Sequence, residues 1–299
     1  MSKKIMALII KLRKMHQDLS PIIKPNELVI LHQTSELIII DVSNGSGAKE
    51  NYEAKHLDGA LYVDLNTQLA NINADVSIGG RHPLPTLEQF SETLTSLGIT
   101  PMSHVVVYDD KNGSNAAARF WWMLKSIGHN KVQVLDGGFE AAIKAGFPIS
   151  SKIESPLKKE PYKVENWLLP LADIHEIDKV SQDADFLVID IRDKERFNGE
   201  KEPIDLVAGH IPGAINIPFT TNLDSNGFFL SPDELKNKYL KAFNNIKPEN
   251  SIVHCGSGVT ACHTLLAIAY AGLEIPKLYV GSWSEWSRNN RPIATSKGK

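Results

Sequence analysis

Short apolar runs rich in Val, Ile and Leu recur along the chain, each leading into a polar or glycine-containing turn: Leu37 to Asp41, His104 to Tyr108, Val132 to Asp136, Val188 to Asp190, Ser251 to Val253 and Leu278 to Val280. Unbroken β-branched runs of this length predict strands covered on both faces, as in parallel sheets. Other segments have helix length and propensity. Ala116 to Leu124 is one, and the Ala-, Leu- and Ile-rich segment from Ala261 to Ala271, stopped by Gly272, is another. The stretch from Asn44 to Lys55, rich in Gly, Ser and charge, reads as a loop.

The pattern occurs twice, at a shift of roughly 145 to 155 residues. His56-Leu57-Asp58-Gly59-Ala60 matches His210-Ile211-Pro212-Gly213-Ala214, and Phe147-Pro148-Ile149 matches Arg291-Pro292-Ile293. The expected fold is therefore α/β, two domains in tandem, each a mostly parallel sheet flanked by helices. Ser150 to Lys163 has Lys, Glu, Ser and Pro without apolar period, which is linker composition. The expected division is an extension over residues 1–20, a first domain over 21–150, a linker over 151–165 and a second domain over 166–299.

Bulk properties narrow the function. A chain of 299 residues supports two ordinary cores. Its 32 basic and 35 acidic residues give no reason to expect nucleic acid or an anionic membrane as partner. Two cysteines make no disulfide framework, and a free thiol in use favours a reducing, cytoplasmic setting. Residues 1–12 carry Lys3 and Lys4 before the apolar Ile5 to Ile10, but the run is too short to span a bilayer and no small-residue cleavage site follows, so a helical or frayed extension is expected.

Only one stretch puts a cysteine on a small, glycine-rich loop between a strand and a helix: His254-Cys255-Gly256-Ser257-Gly258-Val259-Thr260-Ala261. Such a loop can turn successive backbone N–H groups inward and run into a helix N-terminus, a combination that favours an anion. An ordinary thiol with a pKa near 8.5 is about 3% thiolate at pH 7, whereas a value lowered to roughly 6.5 gives about 75%. Cys262, on the helix that follows, reads as structural. Zinc ligation lacks a ligand set, dithiol exchange lacks a cysteine at Gly258, and a cysteine phosphatase lacks its loop-closing arginine, which would stand at Ala261.

The Cys255 loop, the Gly281-Ser282-Trp283-Ser284-Glu285-Trp286 segment and His210-Ile211-Pro212-Gly213-Ala214 together resemble the two-domain sulfurtransferases of the rhodanese superfamily. Within it the loop is most similar to that of 3-mercaptopyruvate sulfurtransferases. Thiosulfate-using members typically place two cationic residues directly after the cysteine, where this chain has Gly256 and Ser257. The resemblance implies sulfur transfer from a small anionic donor, 3-mercaptopyruvate ahead of thiosulfate, through a persulfide on Cys255 to a thiol such as thioredoxin or a low-molecular-weight thiol, or to cyanide. Displacement at sulfur needs no bound cofactor. A non-catalytic sulfur-relay or binding module is the alternative from another class.

Residue by residue, the resemblance makes Arg196 the holder of the donor carboxylate, which a guanidinium fork suits. It pairs His82, in Gly79-Gly80-Arg81-His82-Pro83, with Ser257, and gives Gly256, Gly258, Val259 and Thr260 to substrate binding. A second arginine is expected where Ile204 stands. For an acid partner to His82 the chain offers Asp64 and Asp75, with Asn66 at the family position, and the choice stays open. The first half has Asp109 where the second has Cys255, so the first domain is expected to be inert and to cover the active loop. Trp121 and Trp122 read as core, His56 and His210 as turn-stabilising, and Trp283 as a candidate pocket wall. Arg81, Arg119, Arg288 and Arg291 are cations that sequence alone does not orient.

Overall fold

The computed structural model describes residues 19–34, 37–156 and 159–296. The first half runs β1 (Ile22–Ile23), α1 (Pro25–Thr34), β2 (Ile38–Asp41), α2 (Ala48–Ala54), β3 (His56–Leu57), β4 (Ala60–Tyr62), α3 (Leu65–Gln68), α4 (Leu87–Ser96), β5 (Val105–Tyr108), α5 (Ala116–Ser126), β6 (Val132–Leu135), α6 (Gly138–Lys144) and β7 (Ile149–Ser150). The second runs β8 (Leu171–Ala172), α7 (Ile174–Val180), β9 (Leu187–Asp190), α8 (Lys194–Asn198), β10 (Ile215–Asn216), α9 (Pro232–Phe243), β11 (Ser251–His254), α10 (Ala261–Tyr270), β12 (Lys277–Tyr279) and α11 (Ser282–Trp286). The extension expected over residues 1–20 lies outside the described residues up to position 18.

Each half holds one five-stranded sheet, in the orders β1-β6-β5-β2-β4 and β8-β12-β11-β9-β10, and every pairing within them is parallel. The central strands β5 and β11 are buried at every position, which is why they read as continuous apolar runs rather than alternating ones. The predicted α/β architecture is what forms. One expectation is corrected: residues 44–55 are not all loop, because α2 occupies Ala48–Ala54. Gly45 and Gly47 at positive φ turn the chain into it, and buried Tyr52, whose hydroxyl donates to the Ala60 carbonyl, anchors it. A single buried aromatic leaves little periodic signal in so short a helix.

The two turn histidines do the same job in each half. His56 Nδ1 bonds the Tyr52 carbonyl (2.6 Å) and its ring stacks on Tyr52; His210 Nδ1 bonds the Phe197 carbonyl (2.8 Å) and stacks on Phe197. Trp121 and Trp122 are fully buried on α5, as expected. That helix packs on α10 across the seam, and the largest apolar cluster runs from Val105, Phe120 and Trp121 of the first half into Val253, Leu265 and Leu266 of the second. A continuous apolar seam of this kind holds two halves in a fixed relation far better than a polar interface does. No helix among the described residues is long and apolar enough to cross a membrane.

Candidate active site

β11 ends at His254, so Cys255 is the first residue beyond the strand, and α10 begins at Ala261. Two backbone bonds clamp this loop to the next turn: Trp283 N–H donates to the Cys255 carbonyl (3.0 Å) and Ser284 N–H to the Gly256 carbonyl (2.9 Å). The Cys255 N–H donates to Ser282 Oγ (3.2 Å), whose own hydroxyl donates to the Tyr279 carbonyl (2.8 Å). Ser282 does this from a left-handed backbone, φ 54°, a conformation held against its own strain by these bonds. Gly258 also needs positive φ, 71°, and a Cβ there would run into the Val280 carbonyl, so only glycine fits.

The first half shows how the equivalent loop holds a carboxyl group. Asp109 follows β5 as Cys255 follows β11, and its buried carboxylate accepts the N–H groups of Lys111 (2.9 Å), Gly113 (2.8 Å), Asn115 (3.1 Å) and Ala117 (3.1 Å). Burial pushes that carboxyl above its ordinary range while the amides pull against the shift. In the second half, no acceptor among the described residues takes the N–H groups of Gly256, Ser257, Gly258, Val259, Thr260 or Ala261. Val259 has its side chain in the shared core, so its amide is what it can offer a ligand.

Ser257 meets His82 across the seam, Oγ to Nδ1 2.8 Å. Burial first, then the charges of Arg119 and Arg81, depress the His82 pKa to about 4, so the ring is neutral at pH 7 and in its Nδ1–H tautomer can donate to Ser257 Oγ, leaving the serine proton for a ligand. The loop that carries His82 is fastened to the second half: Gly79 N–H donates to Glu285 Oε1 (2.8 Å), Arg81 N–H to Ser284 Oγ (3.0 Å) and Asn289 Nδ2 to the Ser77 carbonyl (2.8 Å). A Cβ on Gly80 would collide with the Gly281 carbonyl. No carboxylate among the described residues bonds the His82 ring. Asp64 caps α3 and Asp75 bonds Ser77, which closes the choice of acid partner in favour of neither.

Arg196 lies beside the loop with its head fixed from below. Its Nε bonds Glu202 (3.0 Å) and its Nη2 reaches Asp205 Oδ2 (3.3 Å). Burial would raise the Glu202 carboxyl, but the bonds from Arg196 and from the Asp205 and Ile204 amides bring it below its ordinary value. The neighbouring Arg192 is buried, paired with Asp190 and lying over the Trp283 ring at 4.5 Å. Trp283 is itself fully buried, with Nε1–H bonded to the Val207 carbonyl, so it is scaffold and not the candidate pocket wall. Cys262 donates to the Gly258 carbonyl, and burial pushes its thiol up to about 12, which leaves it unreactive.

Sequence reasoning did not place Arg119. Its guanidinium is wholly buried and bonds the carbonyls of Leu69, His82, Pro83 and Gly258, tying the His82 loop to the Cys255 loop from one point. Its position in an apolar helical stretch, where a charge has to find partners inside, was the available signal. No three His, Cys, Asp or Glu side chains among the described residues are grouped as a metal site. A cavity of about 730 Å³ elsewhere along the seam is lined by Pro21, Trp121, Leu169 and Tyr270 and includes none of the loop.

The rhodanese-like domain profile matches residues 24–145 and again 173–289. The chain is 38% identical over 267 residues to a probable 3-mercaptopyruvate sulfurtransferase of Pseudomonas aeruginosa, covering 87% of this chain and 93% of that one. It is 36% identical to the thiosulfate sulfurtransferase of Mus musculus, covering 84% of each. The structure resembles that of 3-mercaptopyruvate sulfurtransferase from Leishmania major with a TM-score of 0.78 at 29% identity, over 91% of this chain and 75% of the other. By sequence profile and by fold, the chain belongs to the rhodanese-like family and carries two domains of that family.

Proposed function

We propose that the protein is a sulfurtransferase that carries a sulfur atom from a small anionic donor to a thiol through a persulfide on Cys255. The observation that carries this reading is the pairing of opposites: in one half the loop amides are occupied by Asp109, in the other the N–H groups of Gly256 to Ala261, on the loop that follows Cys255, have no acceptor among the described residues. A thiolate, and then a persulfide anion, is the ligand that suits them. Residues 166–299 form the catalytic half. Residues 21–150 cover it and lend His82, with 151–165 as the linker.

With 3-mercaptopyruvate, the favoured donor, the Cys255 thiolate attacks the donor sulfur. The S–S bond forms as the C–S bond breaks, and the electron pair leaves on pyruvate enolate, which is protonated at carbon. Arg196 holds the donor carboxylate, and Ser257, accepting from the Nδ1–H tautomer of neutral His82, donates its own proton to the donor oxygen and polarises it. An acceptor thiolate, from thioredoxin or a small thiol, then attacks the outer sulfur and releases Cys255 as thiolate. Thiosulfate is the second donor reading, favoured by the thiosulfate sulfurtransferase among the relatives; there the leaving group is sulfite. A cytoplasmic setting suits a thiol that must stay reduced.

Steady-state rates with the two donors, measured side by side, test the assignment. Higher kcat/KM is expected with 3-mercaptopyruvate, and no turnover of either donor by Cys255→Ser. Equal turnover by wild type and Cys255→Ser would refute it.

A further inference from the structure

The arginine expected at position 204 is absent: Ile204 stands there, half exposed. The structure brings a guanidinium to the same neighbourhood from the opposite half. Buried Asp205 is the common anchor. Its Oδ1 accepts from Arg81 Nε (3.2 Å) and Arg288 Nη1 (3.0 Å), and its Oδ2 from Arg196 Nη2 (3.3 Å) and Arg81 Nη2 (3.5 Å). The carboxylate is fully covered, while the Arg81, Arg196 and Arg288 side chains keep 26%, 12% and 18% of their surface exposed, so the acid lies beneath and the cations above.

Two of these cations converge on the residue beside the thiol. A Cβ placed on Gly256 would sit 2.9 Å from Arg81 Nη2, 3.4 Å from Arg196 Nη2 and 3.7 Å from Arg196 Nη1. Charge points the same way. The linked cluster holds the guanidiniums of Arg81, Arg192, Arg196 and Arg288 against the carboxylates of Asp190, Glu202 and Asp205, an excess of a single positive charge. That excess matches one carboxylate. The Arg81 backbone is tethered by its N–H bond to Ser284 Oγ, and its guanidinium by Asp205.

Building on the sulfurtransferase reading, we propose that Arg81 and Arg196 together grip the carboxylate of a 2-oxo-acid sulfur donor, Arg81 supplying from the first half the guanidinium that position 204 lacks. The donor site is then incomplete without the half that carries no thiol, and Gly256 is glycine in part because any side chain there would displace Arg81.

The experiment compares wild type, Arg81→Gln and Arg81→Lys with 3-mercaptopyruvate as donor and with pyruvate, which has the carboxylate but no sulfur, as competitive inhibitor. Arg81→Gln is expected to raise both KM and the pyruvate inhibition constant about tenfold or more, with kcat within about threefold, and Arg81→Lys to fall between, since it keeps the charge but not the fork. Thermal melting of each variant separates this from loss of fold. Unchanged KM and inhibition constant in a folded Arg81→Gln protein overturn the inference, as does a fall in kcat alone, which assigns Arg81 a purely structural part. A wild-type protein that takes no sulfur from the donor onto Cys255 overturns the functional reading instead.

Discussion

The hydroxyl of Ser257 is paired with a neutral histidine. Because burial and the two nearby arginines hold His82 near pKa 4, the ring stays neutral well below the pH where a free histidine would protonate. The limb of the pH–rate profile that belongs to this pair is expected near pH 4 rather than 6.5; a limb at 6.5 that vanishes in His82→Asn would contradict the assignment. Ser257→Ala is expected to lower kcat with 3-mercaptopyruvate roughly 10- to 100-fold while alkylation of Cys255 by iodoacetamide proceeds as in wild type. At this scale the sequence was informative about Cys255, whose setting between strand and helix is local. It was silent on Arg81, Arg119 and Asp205, because what those side chains touch is decided by residues far away in the chain. His82 could be paired with Ser257 only through the resemblance, since nothing local links positions 175 apart.

Loops, more than strands, carry the function, and they are held by a few points of close approach. Gly258 is one: an alanine there meets both the left-handed backbone and the Val280 carbonyl. Gly258→Ala is expected to cost at least about 1–3 kcal/mol of stability and most of the activity, read by urea unfolding and steady-state rates; full activity would show that the loop path is not required. Arg119 is another. Arg119→Met leaves buried carbonyls without donors and is expected to cost about 3 kcal/mol or more. The strands were legible from their β-branched runs. Helix α2 was not, because its Gly- and charge-rich entry hides a helix fixed by one tyrosine. The doubling of the chain was legible too, but not that Asp109 fills its own loop with a carboxyl group.

Across the whole molecule, the apolar seam places a further buried histidine under strain from acid. His263 is fully buried, its Nδ1 bonded to the Gly113 carbonyl of the other half (3.4 Å), and burial lowers its pKa to about 3. Between the ordinary value near 6.5 and 3, the unfolded chain binds a proton there that the folded one does not, so this histidine makes stability fall as pH drops through that window. Asp41 and Asp109, whose carboxyls burial raises, act in the opposite sense. Urea midpoints of wild type and His263→Gln isolate the histidine: wild type is expected to lose stability relative to the variant from pH 6.5 towards 4, and parallel curves would rule out the effect.

The sulfur-carrying role of Cys255 is tested most directly by intact-protein mass spectrometry after incubation with 3-mercaptopyruvate and removal of excess donor. The expected result is a gain of one sulfur atom, about 32 Da, located on the peptide containing Cys255, discharged by added thiol and absent from Cys255→Ser. No gain in mass, or a gain that survives in Cys255→Ser, would contradict it.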